Sequence, residues 1–406
     1  MDNGVHDSQR LRELQALPLS RKIAISQNRI QEWYQHYKGN VYVSFSGGAD
    51  STVLAALVKQ LYPDIPLVFS NTGLEYSALQ TFARKANAVV VYPSMTFPEV
   101  ISTYGFPIIS KEVAEAIYYA RRIRGSGERE REYLKTAFRK RAELHGLRTI
   151  SQGGVFSNPH LVDNTGTFQG NRRTVLLGNM QGSTPDLKSS FNKEKWLPAA
   201  QELPFNISHY CCSIMKKQPM KKYAHSTGRM PFIGTLADES RMRKQAWIRH
   251  GCNAFESKAP SSQPLSFWTK QDILHFIKLS DLPIADVYGN IVYENGSSEP
   301  LQDVYEPLHC TGCDRTGCVY CGFGAHSRND TRFLTLAELE PRKYEYSMNG
   351  GQWVDNPKYD ATAPVYDGVW KNWNPKKIWV PSKQGLGLKY VIDSFNALYP
   401  NNKIQY

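Results

Sequence analysis

Six consecutive residues, Ser46-Gly47-Gly48-Ala49-Asp50-Ser51, have the types and order needed to hold a phosphate. Glycines at 47 and 48 can take positive φ and let a ligand come close to the backbone. Successive N–H groups at the start of a following helix then make an anion cradle, strengthened by the helix dipole. Asp50 and Ser51 can cap that first turn, and beside a magnesium ion Asp50 can serve as a ligand. The competing reading is an ordinary strand–helix turn in which these residues only cap the helix. The longer Walker pattern, which ends in Lys-Ser/Thr, is a different loop and does not fit.

The seven cysteines form the second candidate centre. Cys310, Cys313, Cys318 and Cys321 place four thiols within twelve residues, Cys211 and Cys212 are adjacent, and Cys252 stands alone. Four thiolates bind zinc tetrahedrally or hold a 4Fe–4S cluster. Zinc sites usually set a longer loop between two CxxC pairs, so the four-residue gap leans towards iron–sulfur, with zinc the alternative. Cys252 is expected to be a small buried residue. A thiolate near Lys216, Lys217 or Arg315 would have a lowered pKa and be more nucleophilic.

The elements that must position these groups can be read from the pattern. Val41 to Ser44 is a strand, and Val53 to Val58 continues the loop into a helix. Further strands are expected at Leu67–Ser70, around Ala88–Tyr92 and at Met230–Gly234, with βαβ alternation between them. That alternation implies an α/β fold with a doubly wound parallel sheet, whose ligands sit at the C-terminal strand ends. The segments expected are N-terminal helix over 1–40, the first part of an α/β core over 41–110, and a charged helical and irregular insertion over 111–205. The second part of the core then covers 206–300, a cysteine-rich metal-binding segment 301–330, and an aromatic-rich extension 331–406.

With 406 residues and 41% hydrophobic composition the chain can bury a full core. The polar start and the lack of any 18-residue apolar run argue against secretion and membrane spanning, so a cytoplasmic protein with reduced thiols is expected. The formal charge of +12, with pI about 9.2, favours an anionic partner, nucleotide or nucleic acid. Lys216, Lys217, Arg241 and Arg243 are candidate phosphate clamps, against the alternative of solvated surface charge. Arginine-rich runs at 121–124 and 139–141 can grip a polyanion or form one solvated helix face.

The loop resembles the SGGxDS pyrophosphate loop of the adenine nucleotide α-hydrolase superfamily, which splits ATP between its α- and β-phosphates. The x position, often lysine in relatives, is Ala49 here. His209 through Met220 resembles the Cys-Cys-x-x-x-Lys-x-x-Pro element of adenylyl-sulfate (APS) reductases, and Arg315 through Gly324 their Gly-Cys-x-x-Cys element. Phe232 through Arg243, Pro264 through Ile273 and Leu282 through Tyr288 resemble later elements of the phosphoadenosine phosphosulfate (PAPS) reductase family. Together these cover about 41–325 in the family's order.

Departures from that pattern redirect the expected function. No cysteine follows Cys321, whereas true PAPS reductases end in a catalytic Glu-Cys-Gly-Leu-His segment. Asn71 and Leu236 stand where many relatives have Asp and Arg. The resemblance therefore implies the ATP-using, cysteine-cluster branch, whose members insert sulfur into DNA backbones or tRNA bases. It implies ATP with Mg²⁺ bound by Ser44, Ser46, Gly47, Gly48, Asp50, Ser51, Thr72, Gly73, Glu75, Gly234, Asp238, Glu239 and Arg243. Glu75 and Asp238 would hold ribose or magnesium unless they only cap loops. Asp50, Cys211, Lys216 and Arg241 are the implied catalytic groups. Cys212, Cys313, Cys318 and Cys321 are the implied cluster ligands, with Cys211 and Cys310 as further candidates or sulfur carriers.

The expected activity is ATP-dependent sulfur transfer through an adenylated acceptor, DNA or RNA among the candidates, with a cysteine desulfurase as sulfur donor. The alternatives are an APS/PAPS reductase with an electron-donor protein, or a non-catalytic nucleic-acid-binding scaffold with structural zinc.

Overall fold

The computed structural model describes residues 6–122, 176, 193–294, 297, 306–327, 330–367 and 370–406. The chain divides into two compact units, Met1–Phe97 with Cys212–Val319, and Pro98–Cys211 with Tyr320–Tyr406. The chain begins with α1 (Ser8–Gln15) and α2 (Leu19–His36), then alternates β1 (Val41–Ser44), α3 (Ala49–Leu61), β2 (Leu67–Ser70), α4 (Ser77–Lys85) and β3 (Val89–Val91). The second unit takes over within α5 (Phe97–Tyr104) and continues through β4 (Ile108–Ile109), α6 (Lys111–Ala120) and α7 (Leu197–Glu202). The first unit resumes with α8 (Gln218–Thr227), β5 (Met230–Ile233), α9 (Arg241–His250), β6 (Asn253–Ala254) and β7 (Ser261–Ser262). It closes with α10 (Lys270–Leu279), β8 (Ile291–Tyr293) and β9 (Leu308–Cys310).

In the first unit the strands form one sheet in the order β3-β2-β1-β5-β7-β6. All neighbours are parallel except β6 and β7. β1 is the centre of this sheet. The chain winds one way from it, through α3 to β2 and β3, then returns to pair β5 on its other side. That reversal makes the fold doubly wound, as expected, and opens a crevice at the C-terminal end of β1. A sheet covered on both faces needs continuous apolar strands, and Val41, Tyr42 and Val43 are all buried. Val53, Leu54, Leu57 and Val58 of α3 pack in the same core as Trp33 of α2 and Trp268. The helical stretch expected over 1–40 is two helices, parted at Leu17-Pro18, because proline has no N–H to continue the first.

A buried ion pair pins α2 to α10. Lys22 Nζ lies 2.7 Å from Asp272 Oδ2, and Asp272 also accepts from Thr269 N at 2.7 Å, capping the helix. Trp268 Nε1 donates to Ser26 Oγ at 2.9 Å alongside it.

In the second unit, β4 pairs in parallel with β10 (Gly322–Phe323). Arg121, the first residue of the expected polyanion grip, is an internal structural residue. It is buried and donates to the carbonyls of Ala199 (2.7 Å), Ala200 (2.7 Å), Leu203 (3.1 Å) and Phe205 (2.6 Å). Its guanidinium also stacks 4.2 Å over Trp373. Four of its five N–H donors are taken by these carbonyls and the group is buried, so it is not presented to a phosphate backbone. Arg122 is half-buried over the Tyr118 ring at 3.3 Å. The other residues of the two arginine runs lie outside the described residues. No helix among the described residues is long and apolar enough to cross a membrane.

Candidate functional site

The loop from β1 to α3 is closed by its own serines. Ser51 Oγ donates to the Gly48 carbonyl at 2.9 Å and accepts from Ser46 N at 3.2 Å, while the two serine hydroxyls lie 3.1 Å apart. Gly48 N donates to Ser46 Oγ at 3.3 Å. Gly47 has φ +74°, and a Cβ there would also meet the Leu79 carbonyl at 3.2 Å. Gly48 has an ordinary φ of −73° and is the N-cap of α3, so its lack of a side chain serves space rather than backbone conformation. Gly234, at the end of β5, is needed for close approach, since a Cβ there would sit 3.0 Å from the Asp50 carbonyl. Ser44, the last residue of β1, is half-buried at the mouth of the same turn. Loop, strand ends and helix start thus assemble as the sequence predicts.

Charged groups converge on this loop. Burial raises the pKa of the Asp50 carboxyl, against the pull of Arg243, Arg315 and Lys270. Arg243 is lowered by burial and by its neighbour Arg315. Glu239 binds both cations: it pairs with Arg243 and accepts from Arg315 Nη2 at 3.0 Å. Glu239 also caps its own turn by accepting from Leu236 N at 3.2 Å. Two guanidiniums beside one carboxylate leave a net positive field facing Asp50 and the phosphate cradle. Arg241 and Asp238, also expected here, are exposed and form no ion pair among the described residues.

On the β2 side, Glu75 is buried and fixes the turn that follows the strand. It accepts from Thr72 Oγ1 at 2.6 Å and from Thr72 N at 3.2 Å. Gly73 is exposed, with φ +73° and open space beside it. Lys216 and Lys217 belong to a single π-helical turn, Ser213–Lys217, held by Ser70 Oγ donating to the Met215 carbonyl at 3.2 Å. Such turns often mark functional positions, because the widened backbone re-aims side chains. Lys216 has exposed surface along its length while its ammonium group hydrogen-bonds Cys318. Burial raises the Cys318 thiol and Lys216 only partly offsets it, so near neutral pH the pair is ammonium and thiol. The upward pull of Cys318 on Lys216 sets in at higher pH, once the thiol ionises; the Glu75 carboxylate acts in the same direction.

The thiols of the first unit stand as two pairs. Cys212 is near Cys318, and Cys313 is near Cys310. Burial raises both Cys310 and Cys313, and Cys313 hydrogen-bonds Tyr76. Cys211 and Cys321 belong to the second unit, where the Cys321 carbonyl accepts from Arg332 at 2.8 Å. Among the described residues no three Cys, His, Asp or Glu side chains converge as a metal site. The four-thiol centre expected for iron–sulfur or zinc is not found among the described residues. Cys252 is a buried free thiol, as expected, accepting from Ser266 Oγ at 3.4 Å. It lines a separate cavity of about 380 Å³ with Arg29, Trp247 and Phe267, none of which belongs to the loop.

Residues that the loop pattern did not single out also reach the site. Ala49 N donates to Tyr288 Oη at 3.0 Å, and Tyr288 Oη lies 2.7 Å from Thr316 Oγ1. Lys270 bonds Asp314 at 3.1 Å, beside Arg315. Tyr288 ends the proline-turn motif and Thr316 lies between two candidate ligands, but no local spacing links either to residue 49.

Comparison with known families adds one result. A family model described as the phosphoadenosine phosphosulfate reductase domain matches residues 40–99 and 179–322, half of the chain. Those ranges contain β1 to β3, the loop, the π-helical turn, β5 and all four cysteines of the 310–321 group. Comparison with curated proteins finds no match.

Proposed function

The chain belongs to the phosphoadenosine phosphosulfate reductase family, and within it we propose that this protein is an ATP-dependent sulfur-transfer enzyme. The observation that carries this reading is the complete Ser46–Ser51 loop at the switch point of the sheet, with Gly47, Gly48 and Gly234 each where a side chain would obstruct. ATP, as its magnesium complex, would place its β- and γ-phosphates on that loop. An acceptor oxygen attacks the α-phosphorus, the α–β bridging bond breaks, and pyrophosphate leaves with the electron pair. The acceptor is then an adenylate. A persulfide supplied by a donor such as a cysteine desulfurase attacks the activated carbon or phosphorus through its terminal sulfur and expels AMP. A second thiol then cleaves the resulting disulfide, leaving sulfur on the acceptor and a disulfide between that thiol and the carrier.

Arg243 and Arg315 would stabilise the charge that develops on the departing pyrophosphate. Lys216 would do the same from the β2 side. The net charge of +12 and the exposed basic residues Arg241 and Arg249 of α9 support a polyanionic acceptor, DNA or RNA.

A second reading, a reductase that releases sulfite from APS or PAPS, draws on the family match and on the Cys318–Lys216 contact. Product analysis separates the two. Formation of AMP and pyrophosphate from ATP, dependent on added DNA or RNA and inhibited by salt, is the expected result. Sulfite from APS or PAPS, with ATP left intact, would transfer the assignment to the reductase.

A further inference from the structure

The cradle at the start of α3 is not open on the side where a phosphate would enter. The Ala49 N–H already donates to Tyr288 Oη, and Tyr288 shares a short bond with Thr316. Both hydroxyls face the space left by Gly48: a Cβ added there would lie 3.3 Å from Tyr288 Oη and 3.4 Å from Thr316 Oγ1. The backbone carrying them is fixed. Gly312 N donates to the Tyr288 carbonyl at 2.9 Å, Cys313 N to the Val287 carbonyl at 2.9 Å, and Val319 N to the Leu74 carbonyl at 2.8 Å. Thr316 is thus tethered on both sides. The Ala49 methyl, by contrast, has no polar atom to offer a phosphate.

We propose that Tyr288 is a phosphate-binding residue of this loop, a neutral hydroxyl donor standing where the loop's own side chain is too short, and that Thr316 is the positioning residue that turns the tyrosine proton towards the ligand. The proposal rests on the reading of 46–51 as a pyrophosphate site. Tyr288 accepts from the Ala49 N–H, and its 2.7 Å bond to Thr316 lets it give its proton to the threonine hydroxyl. When a phosphate oxygen arrives, the Ala49 N–H is shared with it. Thr316 then donates to Tyr288, and the tyrosine proton points at the phosphate. Only hydroxyl rotors turn; no proton leaves either residue. Burial pushes Tyr288 up to about 12, so the phenol remains a donor across the neutral range. Because both groups are held by the backbone, little side-chain entropy is lost when the ligand binds.

The test is titration calorimetry of pyrophosphate, a non-hydrolysable ATP analogue and AMP against the full chain and three variants. Tyr288→Phe and Thr316→Val each remove one donor, so pyrophosphate and the ATP analogue should bind roughly 3- to 10-fold more weakly. Thr316→Ser keeps the hydroxyl and should restore affinity to within about twofold by the same reasoning. AMP lacks the β-phosphate and should be indifferent to all three. Unchanged or tighter pyrophosphate binding in Tyr288→Phe, with an unchanged melting temperature, would overturn the proposal alone, because the phenol would then merely compete for Ala49 N–H. Failure of the unsubstituted protein to bind either pyrophosphate or the analogue would overturn the pyrophosphate site itself, and the hydroxyl pair with it.

Discussion

Exchanging Gly48 for alanine should separate ligand binding from folding. The native φ of −73° and ψ of 158° suit any L-residue, so the backbone resists little. The new methyl would stand 3.2 Å from Ser46 Oγ and 3.3 Å from Tyr288 Oη, contacts that a shift of a few tenths of an ångström relieves. It would nevertheless occupy the approach to the N–H groups of residues 48 and 49. Two charge-assisted hydrogen bonds to phosphate, at about 1.5 kcal/mol each, amount to about 3 kcal/mol, or roughly 150-fold in affinity. Gly47→Ala is the converse case. Its φ of +74° costs an L-residue about 1–2 kcal/mol, and its Cβ would press on the Leu79 carbonyl at 3.2 Å. Calorimetric titration with pyrophosphate, together with chemical denaturation, reads both quantities. Gly48→Ala should lose affinity and keep its stability, whereas Gly47→Ala should lose mostly stability. Full pyrophosphate affinity in Gly48→Ala would refute the assignment of the loop.

Lys22→Met should cost about 3 kcal/mol in denaturant melts of the first unit, because it strands the buried Asp272 carboxylate. Adding Asp272→Leu should recover much of the loss, and a larger loss in the double variant would contradict this. Arg121→Leu removes the guanidinium donor from the carbonyls of Ala199, Ala200 and Phe205, while Leu203 keeps Trp373 Nε1, and should destabilise the second unit by about 3 kcal/mol; an unshifted melt would show that the guanidinium is dispensable. For Asp50 the sign follows from its raised pKa. A carboxyl that ionises at higher pH in the folded state than in the unfolded chain contributes stability below the unfolded pKa, and that contribution is lost as pH rises through the folded one. Asp50→Asn should therefore be the more stable protein at pH 7, with the two converging near pH 3. The same variant should bind pyrophosphate at least as well without magnesium, yet gain less from added magnesium than the native protein does.

The parts of the site that the sequence declares are those made by neighbours in the chain. Ser46 to Ser51 are contiguous, so their bonding pattern is local, and the apolar runs at 41–44, 67–70 and 230–233 can only be buried strands. The centre of the sheet follows from them, since a phosphate loop after the first strand of a doubly wound fold belongs at the switch point. The expected clamps divided according to their environment. Arg243 reaches the site because it lies one turn into α9, where Ser240 caps the helix and Glu239 receives the guanidinium. Arg241, two residues earlier, points away. A 3.6-residue repeat predicts that difference only once the first helical residue is known, and helix boundaries are the least legible feature of a sequence.

What composition concealed is more instructive. The basic run at 121–124 reads as surface charge, yet Arg121 is the most internal cation described in its unit. The carbonyls it meets come from 199–205, about eighty residues away, and nothing in the local sequence announces that pairing. Cysteine spacing is silent in the same manner: twelve residues suffice to bring four thiols together, yet among the described residues no metal group is found, where β9 holds Cys310 in a strand and a backbone bond from Val319 to Leu74 fixes the chain beside Cys318. The same tether explains the hydroxyls at 288 and 316. Held over residue 49 by backbone bonds at 312, 313 and 319, they come from a segment that the cysteines had marked for metal, and their placement turns that segment into one wall of the nucleotide loop. Thiol chemistry and phosphate binding then share a short stretch of chain. Movement of the Cys318 side would displace Thr316, and with it the hydroxyl partner that the proposal gives to Tyr288.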